Sequence, residues 1–283
     1  MNEEFYEWGN PQNTTLVSLH GMGSTGLTFG EFSKYLDTYH ILAFDLPGHG
    51  NAEKCNKKTD YQPAKLAEKI HEKLSKLEKQ SFYLMGHSLG GNIALYYGEK
   101  YPEKLKGIIL LDGGYITPSE FGSLEEQLQE SERHYTESRY DSWKDFIEEE
   151  KKEYSSWSKE LEVAARARVK EVNNEIQLKV ELDTIQAFIT VFFEESVKDI
   201  LERIKVPILL LTASEPEEVN AIRESSCKRF EQLANAATII SIPKAGHDLF
   251  SDQPILIAQH INEWVIKNEC KLINNSKVNN ISK

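Results

Sequence analysis

The chain has 283 residues, 40% of them hydrophobic, so it can bury a full core as one large α/β domain with an insertion or as two smaller domains. Its formal charge of −12 disfavours nucleic acid and anionic membrane surfaces, and neither is expected as a partner. The absence of an apolar leader or membrane-length segment and of any paired cysteine spacing predicts a cytoplasmic protein with reduced thiols and no zinc site, the cysteines being Cys55, Cys227 and Cys270.

Six short apolar runs, rich in β-branched and aromatic residues, follow one another along the chain. In one of the segments between them, Leu66, Ile70, Leu74 and Leu77 share a helical face while lysines and glutamates occupy the others. Alternating strands and helices predict an α/β fold with a doubly wound, mostly parallel sheet. The six runs are TLVSLH, HILAFD, SFYLMG, GIILLD, PILLLT and TIISIP.

This alternation stops near residue 115 and resumes near 205, which divides the chain into parts. Residues 1–115 and 204–270 are predicted to form the core, 116–203 an inserted helical cap, and 271–283 a polar, frayed tail. No strand is predicted in the insertion. Helices are expected there in four segments, LEEQLQESERHY, DSWKDFIEEEKKEY, LEVAARARVKEV and LDTIQAFITVFFEE.

The first apolar run leads into a glycine-rich loop, LVSLHGMGSTG, that permits two interpretations. Gly21, Gly23 and Gly26 satisfy the dinucleotide-binding pattern G-x-G-x-x-G, and Asp45 follows at about the distance of a ribose-binding acid. A tight turn after a strand can instead point backbone N–H groups at the oxyanion of an acyl-transfer intermediate. The rest of the chain has to decide between them.

A candidate nucleophile lies between the SFYLMG run and the helix-forming run that follows it. The sequence GHSLG at Gly86 to Gly90 fits the pattern G-x-S-x-G in which a serine occupies a strained strand-to-helix turn. The glycines two residues before and after the serine are needed there because a side chain would have no room. The pattern predicts that Ser88 is a nucleophile.

A serine hydroxyl attacks only when a base takes its proton, so a histidine is expected on a loop further along the chain. His247 follows the last apolar run in a glycine-bearing loop. His71 and His260 fall inside predicted helices, and His134 falls inside the insertion. His247 therefore fits the chain order serine, acid, histidine and is predicted to be the general base.

Four motifs in the same order resemble the α/β-hydrolase family: LHGMG, FDLPGHG, GHSLGG and GHDLFSDQP. The resemblance covers roughly residues 14–115 and 204–268. Only a short extended segment, EEFYEWG, precedes the first motif, where the family often has two strands. The resemblance therefore implies the family's sheet with one strand fewer at that end.

The resemblance also assigns roles to individual residues. Ser88 corresponds to the nucleophile and His247 to the base, and the backbone N–H groups of Met22 and Leu89 correspond to the oxyanion hole. In this interpretation Asp45 is a structural turn residue. The dinucleotide alternative is disfavoured because it would leave Ser88 and His247 without a role.

The acid of the triad is less well defined, because the loop after PILLLT has no aspartate at the family's usual position. That loop offers Glu215, Glu217 and Glu218 instead. Some members of the family carry the acid one strand earlier, where this chain has Asp112. Asp112 is the preferred candidate, with Glu215 or Glu217 as the alternative.

The predicted activity is that of a serine hydrolase, carboxylesterase-like, which cleaves an ester of a small acyl substrate without a cofactor or metal. The alternatives are hydrolysis of an amide or C–C bond, a non-catalytic ligand receptor on the same fold, and the disfavoured oxidoreductase. A monomer or homodimer is expected. Substrate contacts are predicted for four residues, His20, His87, Trp143 and Phe192.

Overall fold

The computed structural model of the protein describes residues 5–77, 81–195 and 197–281, with the backbone alone for 272–281. Within these ranges the strands are β1 (Phe5–Trp8), β2 (Thr14–Leu19), β3 (Tyr39–Phe44), β4 (Phe82–His87), β5 (Leu105–Leu111), β6 (Arg139–Tyr140), β7 (Val169–Val172), β8 (Glu175–Leu178), β9 (Ile208–Thr212) and β10 (Ala237–Ser241). The α-helices are α1 (Phe29–Phe32), α2 (Pro63–Lys76), α3 (Leu89–Lys100), α4 (Leu124–Glu137), α5 (Trp143–Glu150), α6 (Lys159–Ala167), α7 (Leu182–Glu194), α8 (Lys198–Leu201), α9 (Asn220–Leu233), α10 (Leu249–Asp252) and α11 (Pro254–Ile281).

The main sheet contains seven strands in the order β1-β3-β2-β4-β5-β9-β10. All neighbouring pairs are parallel except β1 and β3, which pair antiparallel at one edge. The six predicted apolar runs form the six parallel strands, so the expected doubly wound, mostly parallel sheet is confirmed. In the described part of the chain β1 alone precedes β2, as the short leading segment predicts.

Each face of the main sheet packs against its own apolar layer of helices. On β4, Leu84 joins a cluster with side chains of α2 and α3, whereas Tyr83 and Met85 join a second cluster with side chains of α11. Successive side chains of a strand point to opposite faces of the sheet. Because both faces are buried here, both sides of a strand are apolar, which explains the continuous apolar runs. Because the strands are parallel, the loops that follow β2, β4, β5 and β10 meet at one edge of the sheet.

Between β5 and β9 the chain forms more than the predicted helices. The strands β6, β8 and β7 pair antiparallel as a small separate sheet, so the prediction that the insertion holds no strand is wrong. The segment LEVAARARVKEV, predicted as one helix, divides into α6 and β7. Asn173 and Asn174, with φ of 52° and 65°, make the tight turn between β7 and β8.

The chain ends in α11, whose backbone is helical as far as Ile281. The frayed tail expected from residue 271 is helical in its backbone as far as Ile281, and residues 282–283 lie outside the described residues. Among the described residues, none of the helices combines the length and the apolar composition that crossing a membrane requires. The three cysteines are free thiols in the structure.

Candidate active site

Ser88 occupies a sharp turn between β4 and α3. Its φ of 51° and ψ of −117° lie in a region that residues with a side chain rarely adopt. A Cβ on Gly86 would lie 2.3 Å from the carbonyl oxygen of Gly90, and a Cβ on Gly90 would lie 2.2 Å from that of Leu19. The expectation that neither flanking position has room for a side chain is thus confirmed, and the turn presents the partly exposed Ser88 to a cavity.

His247, in the loop after β10, forms a hydrogen bond with Asp112, in the loop after β5. The distance from His247 Nδ1 to Asp112 Oδ2 is 2.8 Å. Asp112 is buried, and its Oδ1 accepts hydrogen bonds from the Tyr115 hydroxyl at 2.7 Å and from the Ala213 N–H at 3.0 Å. These bonds fix the carboxylate so that its second oxygen faces the imidazole.

The electrostatics of this pair follow from its contacts. Desolvation opposes the charge on Asp112, but the hydrogen bond and charge of His247, with the bonds from Tyr115 and Ala213, hold the pKa of the carboxyl below its usual value. Desolvation likewise opposes the charge on His247, but Asp112 raises the pKa of the imidazole above its usual value of 6.5. The arrangement therefore favours a carboxylate beside an imidazole that gains a proton readily.

The alternative acids are placed differently. Glu215, Glu217 and Glu218 are all exposed. Among the hydrogen bonds of the described residues, none joins Glu215 or Glu217 to His247. The structure thus brings Asp112 together with His247 and leaves the glutamates outside this contact.

The glycine-rich loop after β2 lies directly against the serine turn. A Cβ on Gly21 would lie 3.1 Å from the Cβ of Ser88, which places the neighbouring Met22 at the edge of the site. Leu89 is the first residue of α3, where a backbone N–H has no partner within the helix. Both predicted oxyanion-hole residues therefore lie beside Ser88.

Asp45 follows β3 and ties the start of the chain to this loop. Its Oδ1 accepts the Gly26 N–H at 2.8 Å, and its Oδ2 accepts the Asn51 N–H at 2.9 Å and the Tyr6 hydroxyl at 3.0 Å. The side chain is buried and both of its oxygens are occupied. Asp45 is therefore a structural turn residue, as expected, and is not placed to bind a ribose.

Two cavities meet at the site. The first has a volume of about 390 Å³ and is lined by Ser88, Asp112 and His247 together with Phe121 and Gln127 of the insertion. The second has a volume of about 650 Å³ and shares Phe121 and Gln127 with the first. Its other lining residues include three apolar residues of the insertion, Leu178, Ile185 and Ile189, and Met22 of the glycine-rich loop. Residues of the insertion thus complete the walls around the predicted catalytic residues.

No hydrogen bond joins Ser88 to His247 among the described residues. In unliganded enzymes such bonds are often long and tighten only with substrate. The fold places both side chains in the wall of the same cavity.

A family model for the alpha/beta hydrolase fold matches residues 14–254. The chain belongs to this family. The match spans all six parallel strands of the main sheet, Ser88 and His247. The resemblance seen in the four sequence motifs is thereby confirmed.

Relatives of this α/β hydrolase include known lipases. Lipase 1 of Psychrobacter immobilis is 28% identical over 252 residues, which are 86% of this chain and 74% of the lipase. Lipase 3 of Moraxella sp. strain TA144 is 24% identical over 247 residues, again 86% of this chain and 74% of the relative. A solved thioesterase domain from the curacin biosynthetic pathway has a TM-score of 0.70 and 21% identity, covering 91% of this chain and 93% of that domain, which shows likeness of fold.

Two histidines predicted to contact substrate are buried behind the site instead. His20 Nδ1 donates to the carbonyl of its neighbour Gly21 at 2.7 Å, and its Nε2 accepts the Leu46 N–H at 2.9 Å. His87 Nε2 donates to the carbonyl oxygen of His247 at 3.0 Å. Burial lowers the pKa of each imidazole to about 4, so both are neutral and act as supports for loops. Neither side chain lines the first or the second cavity, and the expected substrate contacts stay a prediction.

His49 supports the glycine-rich loop. No role is predicted for it from the sequence, although it lies in the FDLPGHG motif. Its Nε2 accepts the Gly23 N–H at 3.0 Å, and burial lowers its pKa to about 3. A neutral imidazole can accept this bond, whereas a protonated one cannot. His49 therefore fixes the residue that follows Met22.

The two aromatic residues predicted to contact substrate, Trp143 and Phe192, pack in apolar clusters. Trp143 packs against Phe146 in the small sheet's own apolar cluster, and its Nε1 donates to Glu171. Phe192 is 8% exposed and packs in the main core beside Phe188. Neither lines either of the two cavities, since both side chains are used in packing.

Proposed function

We propose that this protein is a serine hydrolase that cleaves an ester of a small acyl substrate through an acyl-enzyme intermediate. The observation that carries the proposal is the His247–Asp112 hydrogen bond of 2.8 Å beside a cavity that Ser88 also lines. The strained backbone of Ser88 adds to it, because such strain at a strand-to-helix turn is typical of a nucleophile. The lipase relatives support an ester as the bond cleaved.

The reaction would proceed in two stages. Ser88 Oγ attacks the acyl carbon and gives its proton to His247 Nε2, while the N–H groups of Met22 and Leu89 bind the oxyanion. His247 then protonates the leaving oxygen as the C–O bond breaks, which leaves an acyl-serine. A water molecule attacks this ester and gives a proton to His247, which passes it to Ser88 Oγ as the acyl C–O bond breaks, so that the free acid leaves and Ser88 regains its hydroxyl. Asp112 stabilises the imidazolium that forms in each stage.

The two cavities suggest where the two halves of the ester lie. His247 delivers a proton to the leaving group, so the alcohol half belongs in the first cavity, which His247 lines. Met22 of the predicted oxyanion hole lines the second cavity. We therefore place the acyl chain in the second cavity, along Leu178, Ile185 and Ile189.

A substrate screen tests the proposed activity. p-Nitrophenyl esters of increasing acyl length are expected to be hydrolysed with a burst of p-nitrophenol, because the acyl-serine accumulates when its hydrolysis is slow. Aminoacyl p-nitroanilides, which offer an amide instead of an ester, are expected to be hydrolysed far more slowly. Absorbance of the released chromophore measures both series.

The outcomes separate the alternatives. Efficient cleavage of the anilides with slow cleavage of esters would move the assignment to an amidase. Binding of an ester without any turnover would contradict an enzyme and favour a receptor on the same fold.

The placement of the acyl chain predicts an effect at Ile189, which lines the second cavity and is half-buried. Ile189→Trp fills part of the cavity and is expected to lower kcat/KM for octanoate relative to acetate by about tenfold. The control is Phe192→Ala, which is expected to cost about 3 to 5 kcal/mol of unfolding free energy without changing that ratio. An altered ratio in Phe192→Ala, with none in Ile189→Trp, would show that the chain runs elsewhere.

A further inference from the structure

Arg223, on α9, is a buried cation in the wall of the first cavity. The residue is 7% exposed and lines the cavity together with Ser88 and His247. A guanidinium keeps its proton in proteins, so this charge cannot be removed by burial. Among the described residues, no carboxylate lies within ion-pair distance of Arg223. A buried charge without a counter-ion is costly, and a ligand can supply the missing one.

The hydrogen bonds of Arg223 use only part of its donor capacity. Nη1 donates to the Pro216 carbonyl and to Asn220 Oδ1, both at 2.9 Å, and Nη2 donates to the Glu215 carbonyl at 2.6 Å. These three bonds hold the loop after β9 in place, which is the structural role of Arg223. Of the five N–H donors of a guanidinium, two remain, on Nε and on Nη2. Nε is buried and has no hydrogen-bond partner among the described residues.

No other group among the described residues that line the first cavity supplies a counter-ion for Arg223. Asp112 is the one carboxylate among the described residues that line it, and its two oxygens are already bonded to His247, Tyr115 and Ala213. Arg223 and His247 line the same cavity, and the guanidinium charge is the smallest of the contributions to the pKa of His247, which it lowers. An anion bound at Arg223 would thus lie on the side of the site where His247 protonates the leaving group.

We propose that Arg223 binds a carboxylate on the leaving-group half of the substrate, so that the preferred ester has an alcohol half carrying a carboxylate. This inference rests on the serine hydrolase activity proposed above. The guanidinium charge favours an anion over a neutral group, and the N–H that remains free on Nη2 can donate a charge-assisted hydrogen bond to a carboxylate oxygen. Val219, Ile116 and Pro118 line the same cavity and provide an apolar surface for the body of that half.

A matched pair of esters tests the proposal in the whole protein. In 4-carboxyphenyl butyrate and 4-carbamoylphenyl butyrate the acyl half is the same, and the alcohol halves have the same shape and differ in charge. We expect the ratio of kcat/KM, carboxylate over amide, to fall by about tenfold or more in Arg223→Gln, because a hydrogen-bonded charge pair is lost. Comparing ratios cancels the different reactivity of the two esters and any general loss of activity.

Two further variants separate charge recognition from loop support. Arg203→Gln removes an exposed arginine that bonds Glu99 outside the first cavity and should keep the wild-type ratio. Arg223→Lys keeps the charge but replaces the planar guanidinium by an ammonium group, and it should give an intermediate ratio. If Arg223→Gln lowers the activity on both esters equally, Arg223 only supports the loop and the proposal is wrong. Preference for a phosphate in place of the carboxylate would overturn the assignment of the anion.

A binding measurement keeps this test independent of turnover. Ser88→Ala protein is titrated calorimetrically with 4-hydroxybenzoate and with 4-hydroxybenzamide, and the benzoate alone is expected to bind. The same titration with Ser88→Ala combined with Arg223→Gln should show no binding of the benzoate. Binding that needs Arg223 without any hydrolysis would support the carboxylate site and contradict the hydrolase. Hydrolysis without such binding would support the hydrolase and contradict the carboxylate site.

Discussion

Ser88→Ala is expected to lower kcat on the best p-nitrophenyl ester by roughly 10⁴- to 10⁶-fold, because no other side chain can take over the attack on the acyl carbon. The same change should abolish labelling by a fluorophosphonate probe. In the wild type Ser88 Oγ displaces fluoride from phosphorus and its proton passes to His247. The phosphorylated serine then stays on the protein and is detected by mass spectrometry.

The matched control for this change is Ser131→Ala. Ser131 lines the second cavity, and its hydroxyl donates to the carbonyl of Leu128, so it is a serine of the cavity wall that lies on a regular helix and not at the strained turn. Ser131→Ala should be labelled as fully as the wild type. Circular dichroism should show that Ser88→Ala is folded. Labelling of folded Ser88→Ala at the wild-type rate would show that the nucleophile is another residue.

The main sheet could be predicted from the sequence because its signal is strong and local. Parallel strands covered on both faces are continuous apolar runs, and six such runs became β2, β3, β4, β5, β9 and β10. The small sheet of the insertion gave no such signal. Its strands have two to four residues, of which one at most is buried in each, and the clearest sign was the Asn173–Asn174 turn. Short strands of this kind depend on their neighbours in the fold more than on their own composition.

The candidate site was predictable where a residue type is needed at a fixed offset from a strand. Gly86, Ser88 and Gly90 belong to this class, and the crowding found around both glycines matches the prediction. The roles of Ser88, His247 and Asp112 as a catalytic set stay a prediction. The sequence could not reveal that His87 is buried, because its partner is the carbonyl of His247, 160 residues further along the chain. Arg223 is likewise an ordinary helix arginine in sequence, and its burial appears only when the loop after β9 folds over it.

Asp112→Asn is expected to lower kcat about 10²- to 10⁴-fold with little loss of stability. Asparagine tolerates the positive φ of 44° at this position. Its carbonyl oxygen can still accept from Tyr115 and Ala213, which leaves the amide facing His247 Nδ1. An amide N–H donates to Nδ1 and so holds the imidazole in the tautomer that has its proton on Nε2. That tautomer cannot take a proton from Ser88.

The pH profile should change in a direction that a purely structural role would not produce. His247 acts as a base only when neutral, so kcat/KM falls as the pH drops through its pKa. Asp112 raises the pKa of His247 above 6.5, and the acidic limb of the wild-type profile should therefore lie above pH 6.5. Asp112→Asn removes the negative charge that stabilises the imidazolium, so the acidic limb of its residual activity should move to lower pH. Initial rates on the same ester between pH 5 and 9 measure the acidic limb of the wild type and that of Asp112→Asn.

Glu215→Gln and Glu217→Gln serve as matched controls, since each also removes one carboxylate charge near the end of β9. Both side chains are exposed, and neither is hydrogen-bonded to His247 among the described residues. We therefore expect wild-type kcat and an unmoved acidic limb for both variants. If one of them is crippled while Asp112→Asn keeps its activity, the acid lies in the loop after β9, and the hydrogen bond between Asp112 and His247 orients the loop without assisting the proton transfer.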